Sequence, residues 1–362
     1  MNAALVIGGL ALGLAILFAW AFRCLPRERW QILAALPTER EPGGGWRGVN
    51  LTYYGVFNAV GIGTGIAVTL FLPGTVGLPL AYLTGCTLAC LAVVLPASKL
   101  INRLVEGHWF GFTVAGGCFA GMVAGPWVIW AVSRLFLPPA ETAAAVPYVL
   151  GALAPAYALG EGIGRLACIS FGCCYGRPLS DSPAWLRPLF NNRAFVFEGR
   201  LKKASYAHGY EGQRLSPVQA LTAVISSLAG LAGVALFLAG RPVAAFVLAI
   251  VVTQVWRFLS EFLRADYRGA GRISAYQWMA IAGAVYTGLL GLFWPAMPRI
   301  APDVARGLAL LWTPGAILFI EGVAVFVFVR MGVSSVTASR ITLDLRHDRV
   351  SALPPTDKKQ AF

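Results

Sequence analysis

Charged residues are scarce in this chain. Aspartate, glutamate, lysine and arginine together make up 12% of the 362 residues, whereas 57% are hydrophobic. An average soluble domain has about 25% charged residues. The composition therefore excludes an ordinary soluble domain and indicates an integral membrane protein that crosses the bilayer several times.

Acidic residues are the scarcer of the two charged classes. There are 16 of them against 29 lysines and arginines, which gives a formal net charge of +13. In a soluble protein this excess would suggest nucleic acid binding. In a membrane protein it indicates basic loops and a basic tail beside anionic lipid headgroups, so we expect no nucleic acid partner and consider an anionic lipid as substrate.

The chain also lacks a signal-peptide pattern at its start. No basic segment precedes the apolar run of residues 3–22, and no small-residue cleavage site follows it. We therefore interpret this run as a retained transmembrane helix.

A disulfide framework is missing as well. Four of the seven cysteines lie in or beside apolar segments, which excludes a secreted disulfide-rich domain. Cys86 and Cys90 share a helix face without a histidine or acidic neighbour, so we interpret them as packing residues rather than metal ligands.

Long apolar segments dominate what is present. A transmembrane helix needs about 20 predominantly apolar residues. The segments that meet this length are residues 3–22, 52–72, 78–98, 111–136, 146–170, 216–239, 243–263, 273–294 and 305–329. We therefore predict an all-α polytopic membrane protein with about nine transmembrane helices.

Residues 177–214 form the one substantial polar segment between these spans. Its stretch 192–208 predicts a short hairpin. Two interpretations stay open: a small extramembrane head at the lipid headgroups, or a solvated basic loop.

Ionisable residues next to or within apolar segments are the main functional signal. In the stretch GEGIGRLACISFGCCYGRP, residues 160–178, Glu161 and Arg165 lie one helical turn apart. A charge inside hydrocarbon costs a few kcal/mol, so such a pair predicts a functional site or a structural ion pair.

A second charged group ends the segment 243–263. Arg257, Glu261 and Arg264 have the spacing i, i+4 and i+7, which would place them on one helix face. A purely structural ion pair is one explanation, and a polar pathway through the membrane is the other.

Five segments of the chain match, in order, the motifs of one known family. Tyr53-Tyr54-Gly55 resembles the family's Trp-Tyr-Gly, and GFTVAGGCFAG resembles its His-Gly-Gly segment. APAYALGEGIGRLACISFGCCYGR resembles the family signature without a gap, and SPVQA is similar to His-Pro-Ser-Gln. RFLSEFLR followed by ISAYQ resembles Arg-x-x-x-Glu-Phe-x-Arg and Ser-x-x-Gln. The segments run from about Tyr53 to about Pro295, roughly two-thirds of the chain, and the family that they resemble is the bacterial prolipoprotein diacylglyceryl transferases.

The resemblance implies a domain organisation. Residues 51–296 correspond to the family's seven-helix core, with 177–214 as its extramembrane head segment. Residues 1–50 then add an N-terminal transmembrane helix and a basic loop, and 297–330 add a C-terminal helix. Residues 331–362 form a basic tail whose end we expect to be polar and disordered.

The resemblance also implies an activity and its partners. The family moves a diacylglyceryl group from phosphatidylglycerol to a cysteine thiol of a prolipoprotein. We expect phosphatidylglycerol or a similar anionic phospholipid, a prolipoprotein or related acceptor and the membrane itself as partners, and neither a cofactor nor a metal ion. The implied location is the bacterial inner membrane, with the site toward the outer leaflet.

Site roles follow from the same correspondence. We expect a phosphate clamp from Arg165 and Arg257, since arginine holds a phosphodiester bidentately, with Arg264 near the rim and Glu261 orienting Arg257. Tyr54 and Gln277 would reach the lipid's hydroxyls. The predicted catalytic residues are Arg165, Arg257, Glu261, Tyr54, Glu161 and Cys173, and the predicted substrate-binding residues are Arg165, Gly176, Arg177, Arg257, Arg264 and Gln277.

The chain departs from the family pattern at four positions. Ala115 and Ser216 replace family histidines, and Cys168 and Cys173 replace the signature asparagine and glutamate. These losses support a second hypothesis, in which the protein is a catalytically inactive relative that serves as a lipid- or lipoprotein-binding accessory or transport protein.

The thiol of an acceptor would still need a base. The remaining titratable candidates are His108, Glu161 and His208. His108 is also explained as a solvated loop residue, and Glu161 is also explained as the counter-ion of Arg165.

Three interpretations of Cys173 and Cys174 stay open. They are small packing residues, a redox pair or vicinal disulfide on an oxidising face, or an enzyme nucleophile that accepts the lipid transiently. A zinc site is the weakest interpretation, because Cys168, Cys173 and Cys174 crowd one stretch without a histidine.

The membrane orientation is predicted by analogy. A site at the outer leaflet places the N-terminus in the cytoplasm and, with nine spans, the basic tail outside. That placement of the tail opposes the positive-inside rule.

Overall fold

The computed structural model describes residues 2–107, 113–265, 273–295 and 300–342. Eight of its helices are long and apolar enough to cross a membrane, and they confirm an all-α polytopic membrane protein. These eight are α1 (Ala3–Cys24), α2 (Tyr53–Thr75), α3 (Leu80–Glu106), α4 (Val114–Phe136), α5 (Pro139–Phe171), α8 (Val218–Leu238), α9 (Pro242–Ser260) and α12 (Pro314–Gly332). The remaining helices are α6 (Leu186–Phe190), α7 (Lys203–His208), α10 (Ala275–Leu292) and α11 (Val304–Leu311).

Helix α5 is the centre of the bundle. It packs mainly against α2, α8 and α9. Glycines allow these close approaches, since a Cβ on Gly160 would lie 3.0 Å from the Gly61 carbonyl oxygen of α2. Residue 161 of α5 therefore lies deep among three neighbouring helices.

The polar segment 177–214 folds into a small head. Strand β3 (Phe195–Val196) pairs with β4 (Arg214–Leu215), and α6 and α7 complete the segment. The predicted hairpin over 192–208 is wrong, because residues 203–208 form α7, which buries Ala204 and Ser205. The strand partner therefore comes from beyond that helix.

A second sheet lies after the first helix. Strands β1 (Ile32–Arg40), β2 (Trp46–Thr52) and β5 (Val333–Ile341) are antiparallel in the order β1-β2-β5. The expected basic loop within residues 1–50 is therefore largely a hairpin. Residues 333–341 of the predicted tail form the third strand, because β2 supplies backbone hydrogen-bond partners to β5. Residues 343–362 of the predicted tail lie outside the described part of the chain.

The head and the three-stranded sheet share one end of the bundle. The Lys202 ammonium donates to the carbonyls of Leu25 and Ser170 at 3.0 and 2.6 Å, and Gln31 Nε2 donates to the Leu201 carbonyl at 2.7 Å. The start of the tail joins this end through β5. The tail thus begins on the side opposite the first residues of α1.

Candidate functional site

Glu161 joins two arginines inside the bundle. Its Oε1 accepts hydrogen bonds from Arg165 Nη2 at 2.6 Å and from Arg257 Nη2 at 2.7 Å. The side chains of Glu161, Arg165 and Arg257 are 5%, 12% and 10% exposed. One carboxylate of α5 therefore holds a guanidinium of its own helix and one of α9 in a fixed, nearly dry arrangement.

Tyr157 completes this network. Its hydroxyl donates to Glu161 Oε2 at 2.5 Å and accepts from Arg257 Nη2 at 2.9 Å. Arg257 is consequently oriented by two residues of α5.

Among the described residues, Arg257 is held by Glu161 and Tyr157 and not by Glu261, the partner that the sequence predicts. Helix α9 ends at Ser260, Glu261–Leu263 form a 3-10 turn, and Arg264 has an extended backbone. The charged row expected on one helix face is therefore broken at its middle. Glu161 takes the place that the sequence assigned to Glu261.

A narrow cavity opens beside the network. Its walls bring together both glutamates, three arginines and one cysteine: Glu161, Glu261, Arg165, Arg257, Arg264 and Cys174. Its free space is about 10 Å³, room for about one water molecule. Three arginines against two glutamates give the walls an excess of positive charge.

Two arginine donors in this region have no partner within the described chain. Arg165 Nε and Arg257 Nε are buried and make no hydrogen bond. A buried donor without a partner is costly, so an acceptor group that reached both would be stabilised there. An anion with several oxygen atoms would supply such acceptors.

Three cysteines converge next to the cavity. The sulfur atoms of Cys168, Cys173 and Cys174 all lie within 4.8 Å of one another. Helix α5 ends at Phe171, and Gly172, with φ of 70°, turns the chain back so that Cys173 N donates to the Cys168 carbonyl at 3.0 Å. Cys174 also has a left-handed backbone, with φ of 55°.

The environment of Cys174 favours its thiolate. Hydrogen bonds from Cys168 and Cys173 hold the pKa of the Cys174 thiol well below its usual range, and Arg264 and Arg165 add to this effect. The hydrogen bond to Cys168 raises the pKa of Cys173 instead. Among the three, Cys174 is the one that lines the cavity.

Comparison with known proteins identifies the fold that carries this site. Residues 46–294 match the sequence model of the family described as prolipoprotein diacylglyceryl transferase. The chain belongs to that family. The matched region runs from β2 through α10 and contains the arginine network and the three cysteines.

A curated relative supports the assignment. The phosphatidylglycerol–prolipoprotein diacylglyceryl transferase of Clostridium tetani is 29% identical over 152 residues, which are 40% of this chain. The chain spans about half of that relative's length, 51%.

The closing residues of the family signature position Arg264. Gly176 pairs with Arg264 in an isolated β-bridge, and Arg177 Nε donates to the Arg264 carbonyl at 3.0 Å. A Cβ on Gly176 would collide with the Ser216 carbonyl oxygen, so only glycine fits this approach. Gly176 and Arg177, for which we predict substrate binding, hold the backbone of an arginine in the cavity wall.

Tyr54 and Gln277 do not line the cavity. Tyr54 lies in the first turn of α2, where its ring meets Phe171 edge-on at 5.7 Å and its side chain neighbours the three cysteines. Gln277 forms the capping box of α10 with Ser274, and its Nε2 donates to the Phe258 carbonyl at 3.1 Å. Its amide is thus occupied in fastening α10 to α9.

The three residues considered as the base for the acceptor thiol lie in different parts of the chain. His108 lies outside the described residues, and His208 packs in the head, hydrogen-bonded to the Tyr175 hydroxyl and stacked on Tyr210. Glu161 is bound by two arginines, as expected of a counter-ion. Ala115 is buried at the start of α4.

Sequence reasoning missed three neighbours of the network. Tyr157 precedes Glu161 by one turn, a spacing that would have found it. Gln219, whose Nε2 donates to the Cys173 carbonyl at 2.9 Å, belongs to the segment SPVQA. Cys118 of α4 accepts from Gln254 Nε2 at 3.2 Å beside Tyr157 and Arg257, and no local signal marks it.

Proposed function

We propose that the protein transfers a diacylglyceryl group from phosphatidylglycerol, or a similar anionic phospholipid, to the thiol of a prolipoprotein or a related acceptor. The reaction breaks the S–H bond of the acceptor thiol, whose proton goes to water, and the bond between the lipid's glycerol carbon and a phosphate oxygen, and it forms a carbon–sulfur bond. The leaving glycerol phosphate keeps the electron pair of the broken bond. Catalysis therefore requires groups that stabilise negative charge on that phosphate.

The two partnerless arginine donors are the observation that carries this proposal. Glu161 fixes one nitrogen of Arg165 and one of Arg257, and their buried Nε groups remain without a partner in the described chain. A phosphodiester supplies oxygens that arginine binds at fixed angles, and both guanidiniums stay charged in a site of low polarity.

Further residues have roles that fit the same substrate. Arg264 at the cavity wall would meet the headgroup, and Gln219 would contact a glycerol hydroxyl, since its Oε1 is buried without a partner in the described chain. Because the free space is small, the walls must move apart to admit a lipid headgroup. Glu161 acts in this scheme as the counter-ion that positions both arginines.

The position along the helices fits a lipid headgroup. Arg165 lies six residues before the end of α5 and Arg257 three residues before the end of α9, on the side of the head. Six helical residues span about 9 Å, a depth that would suit contact with a lipid phosphate just below the headgroup layer. We propose that this side is the outer leaflet of the bacterial plasma membrane.

The test is transfer by the purified protein in liposomes. Phosphatidylglycerol labelled in its diacylglyceryl part is incubated with a cysteine-containing acceptor peptide, and labelled peptide is counted. Arg165→Ala and Arg257→Ala should abolish transfer, whereas Arg200→Ala, which removes an exposed arginine of the head, should leave it intact. Undiminished transfer by the first two variants would refute the proposal.

The same assay decides the second hypothesis. An inactive relative would retain phosphatidylglycerol in the purified complex but label no peptide under conditions where an active family member does. The replacement of family residues at Ala115 and Cys173 is the observation that favours this outcome. If the protein rescues the growth of a strain depleted of its own transferase, the hypothesis of an inactive relative is excluded.

A further inference from the structure

The three-cysteine cluster has the geometry of a metal site. Sulfur atoms around one tetrahedral zinc ion lie about 3.8 Å apart, because each Zn–S bond is about 2.3 Å. All three pairs among Cys168, Cys173 and Cys174 are within 4.8 Å, so small side-chain rotations would complete the site. The crowding that argued against zinc in the sequence is resolved by the turn at Gly172.

The surroundings of the cluster compensate its charge. A Zn²⁺ ion with three thiolates carries a net charge of −1. Cys174 shares the wall of the cavity with Arg165 and Arg264. These two arginines would therefore stabilise the loaded site.

The backbone holds the ligands in place. Cys168 is fixed in the last turns of α5, Cys173 is tied to it through its amide, and Gln219 of α8 fixes the Cys173 carbonyl. These contacts fix the backbone that carries the three ligands.

We propose that Cys168, Cys173 and Cys174 bind a Zn²⁺ ion whose fourth coordination position faces the arginine-lined cavity and takes the acceptor thiol. Three protein ligands leave one position open in catalytic zinc sites. Cys174 forms part of the cavity wall, so that position opens toward the place proposed for the lipid phosphate. The role toward the acceptor rests on the proposed transfer reaction, whereas the metal site itself does not.

Binding to zinc would activate the acceptor without a histidine. The acceptor thiol loses its proton to water on binding and remains on the metal as a thiolate. That sulfur then forms the bond to the lipid's glycerol carbon while the carbon–oxygen bond to phosphate breaks, and the phosphate oxygen takes the electron pair. No histidine is among the described residues that line the cavity.

Metal content of the full-length protein tests the site directly. Protein purified in detergent from zinc-supplied cells should contain about one zinc ion per chain by mass spectrometry. This measurement does not depend on whether the protein transfers lipid. Cys168→Ser, Cys173→Ser and Cys174→Ser should each lose it. Cys86→Ser, which removes a buried cysteine of α3, is the matched control and should retain it.

Cobalt binding by the wild-type protein tests the metal site even if the cysteine variants fail to fold. The reduced, metal-free wild-type protein should gain a thiolate-to-cobalt charge-transfer band with Co²⁺, and a cysteine peptide should change that band, whereas a serine peptide should not. Absence of the band, or zinc retained by the serine variants, would overturn the site. If the cysteine peptide leaves the charge-transfer band unchanged, the acceptor thiol does not bind the metal. If the zinc-containing protein transfers no lipid, that result counts against the proposed function and not against the metal site.

Discussion

Glu161→Gln removes the single negative charge between two buried arginines. Glutamine keeps the shape of the side chain and one oxygen acceptor. The charges of Arg165 and Arg257, both at hydrogen-bond distance from the same oxygen atom, would then be left without compensation. The perturbation therefore tests whether this carboxylate organises the site.

The expected loss follows from the burial of the group. Removing one partner of a buried ion pair costs about 3–5 kcal/mol. Since the glutamine oxygen retains part of the hydrogen bonding, we expect about 3 kcal/mol, a decrease on the order of 100-fold in the ratio of folded to unfolded protein. Transfer activity should fall as well, because both guanidiniums lose their common anchor.

Reversible unfolding in mixed micelles at neutral pH measures the change. Glu261→Gln is the matched control, because Glu261 lines the same cavity but pairs with no described residue, so its loss should stay within about 0.5 kcal/mol. The double variant Glu161→Gln with Arg257→Gln should recover part of the stability. A coupling of at least about 1 kcal/mol is expected for groups in direct contact.

Two results would refute this reasoning. If Glu161→Gln is as stable as Glu261→Gln, the carboxylate does not compensate buried charge. If the losses from Glu161→Gln and Arg257→Gln simply add, the two groups are not coupled, and the ion pair is not the organising contact of the site.

Three further predictions address the arginine geometry, the head and the membrane topology. Arg257→Lys keeps the positive charge but loses the planar set of donors, so transfer in the liposome assay should fall about 10- to 100-fold. A similar loss in the control Arg200→Lys would contradict the proposal that Arg257 binds the lipid phosphate. Burial lowers the pKa of Lys202 from 10.5 to about 7. The unfolded chain therefore binds more protons between these values, and the free energy of unfolding should rise with pH across that range. Lys202→Met should make this rise less steep. An impermeant maleimide should label Ala35→Cys and Arg200→Cys from the same side of the membrane, and it should label Arg241→Cys from the other side. If Ala35→Cys and Arg200→Cys were labelled from opposite sides, the hairpin and the head would not share one end of the bundle.

Apolar segments and spacing were enough to predict the bundle. Each transmembrane segment is a local property, since a helix in hydrocarbon must satisfy its own backbone. The pair Glu161 and Arg165 was predictable for the same reason, because one helical turn joins the two residues. The strand pairing in the head and in the three-stranded sheet was not predictable from the sequence. Strand β3 pairs with a strand beyond α7, and β5 pairs with a strand almost 300 residues earlier.

Within the site, the residue types were set by the sequence and their partners by the fold. Arginine in an apolar segment indicates a polar function wherever it lies, so Arg165 and Arg257 were recognisable from composition and spacing alone. Their shared bond to Glu161 required α5 and α9 to pack together, and the early end of α9 at Ser260 removed Glu261 from the role that a continuous helix predicts. The convergence of Cys168, Cys173 and Cys174 likewise depends on the turn after Phe171, because a local spacing does not specify where the chain reverses. Hydrophobicity and helical periodicity act along the chain and can be seen in it, whereas ion pairs between helices and the meeting of sulfur atoms exist only once the helices are packed.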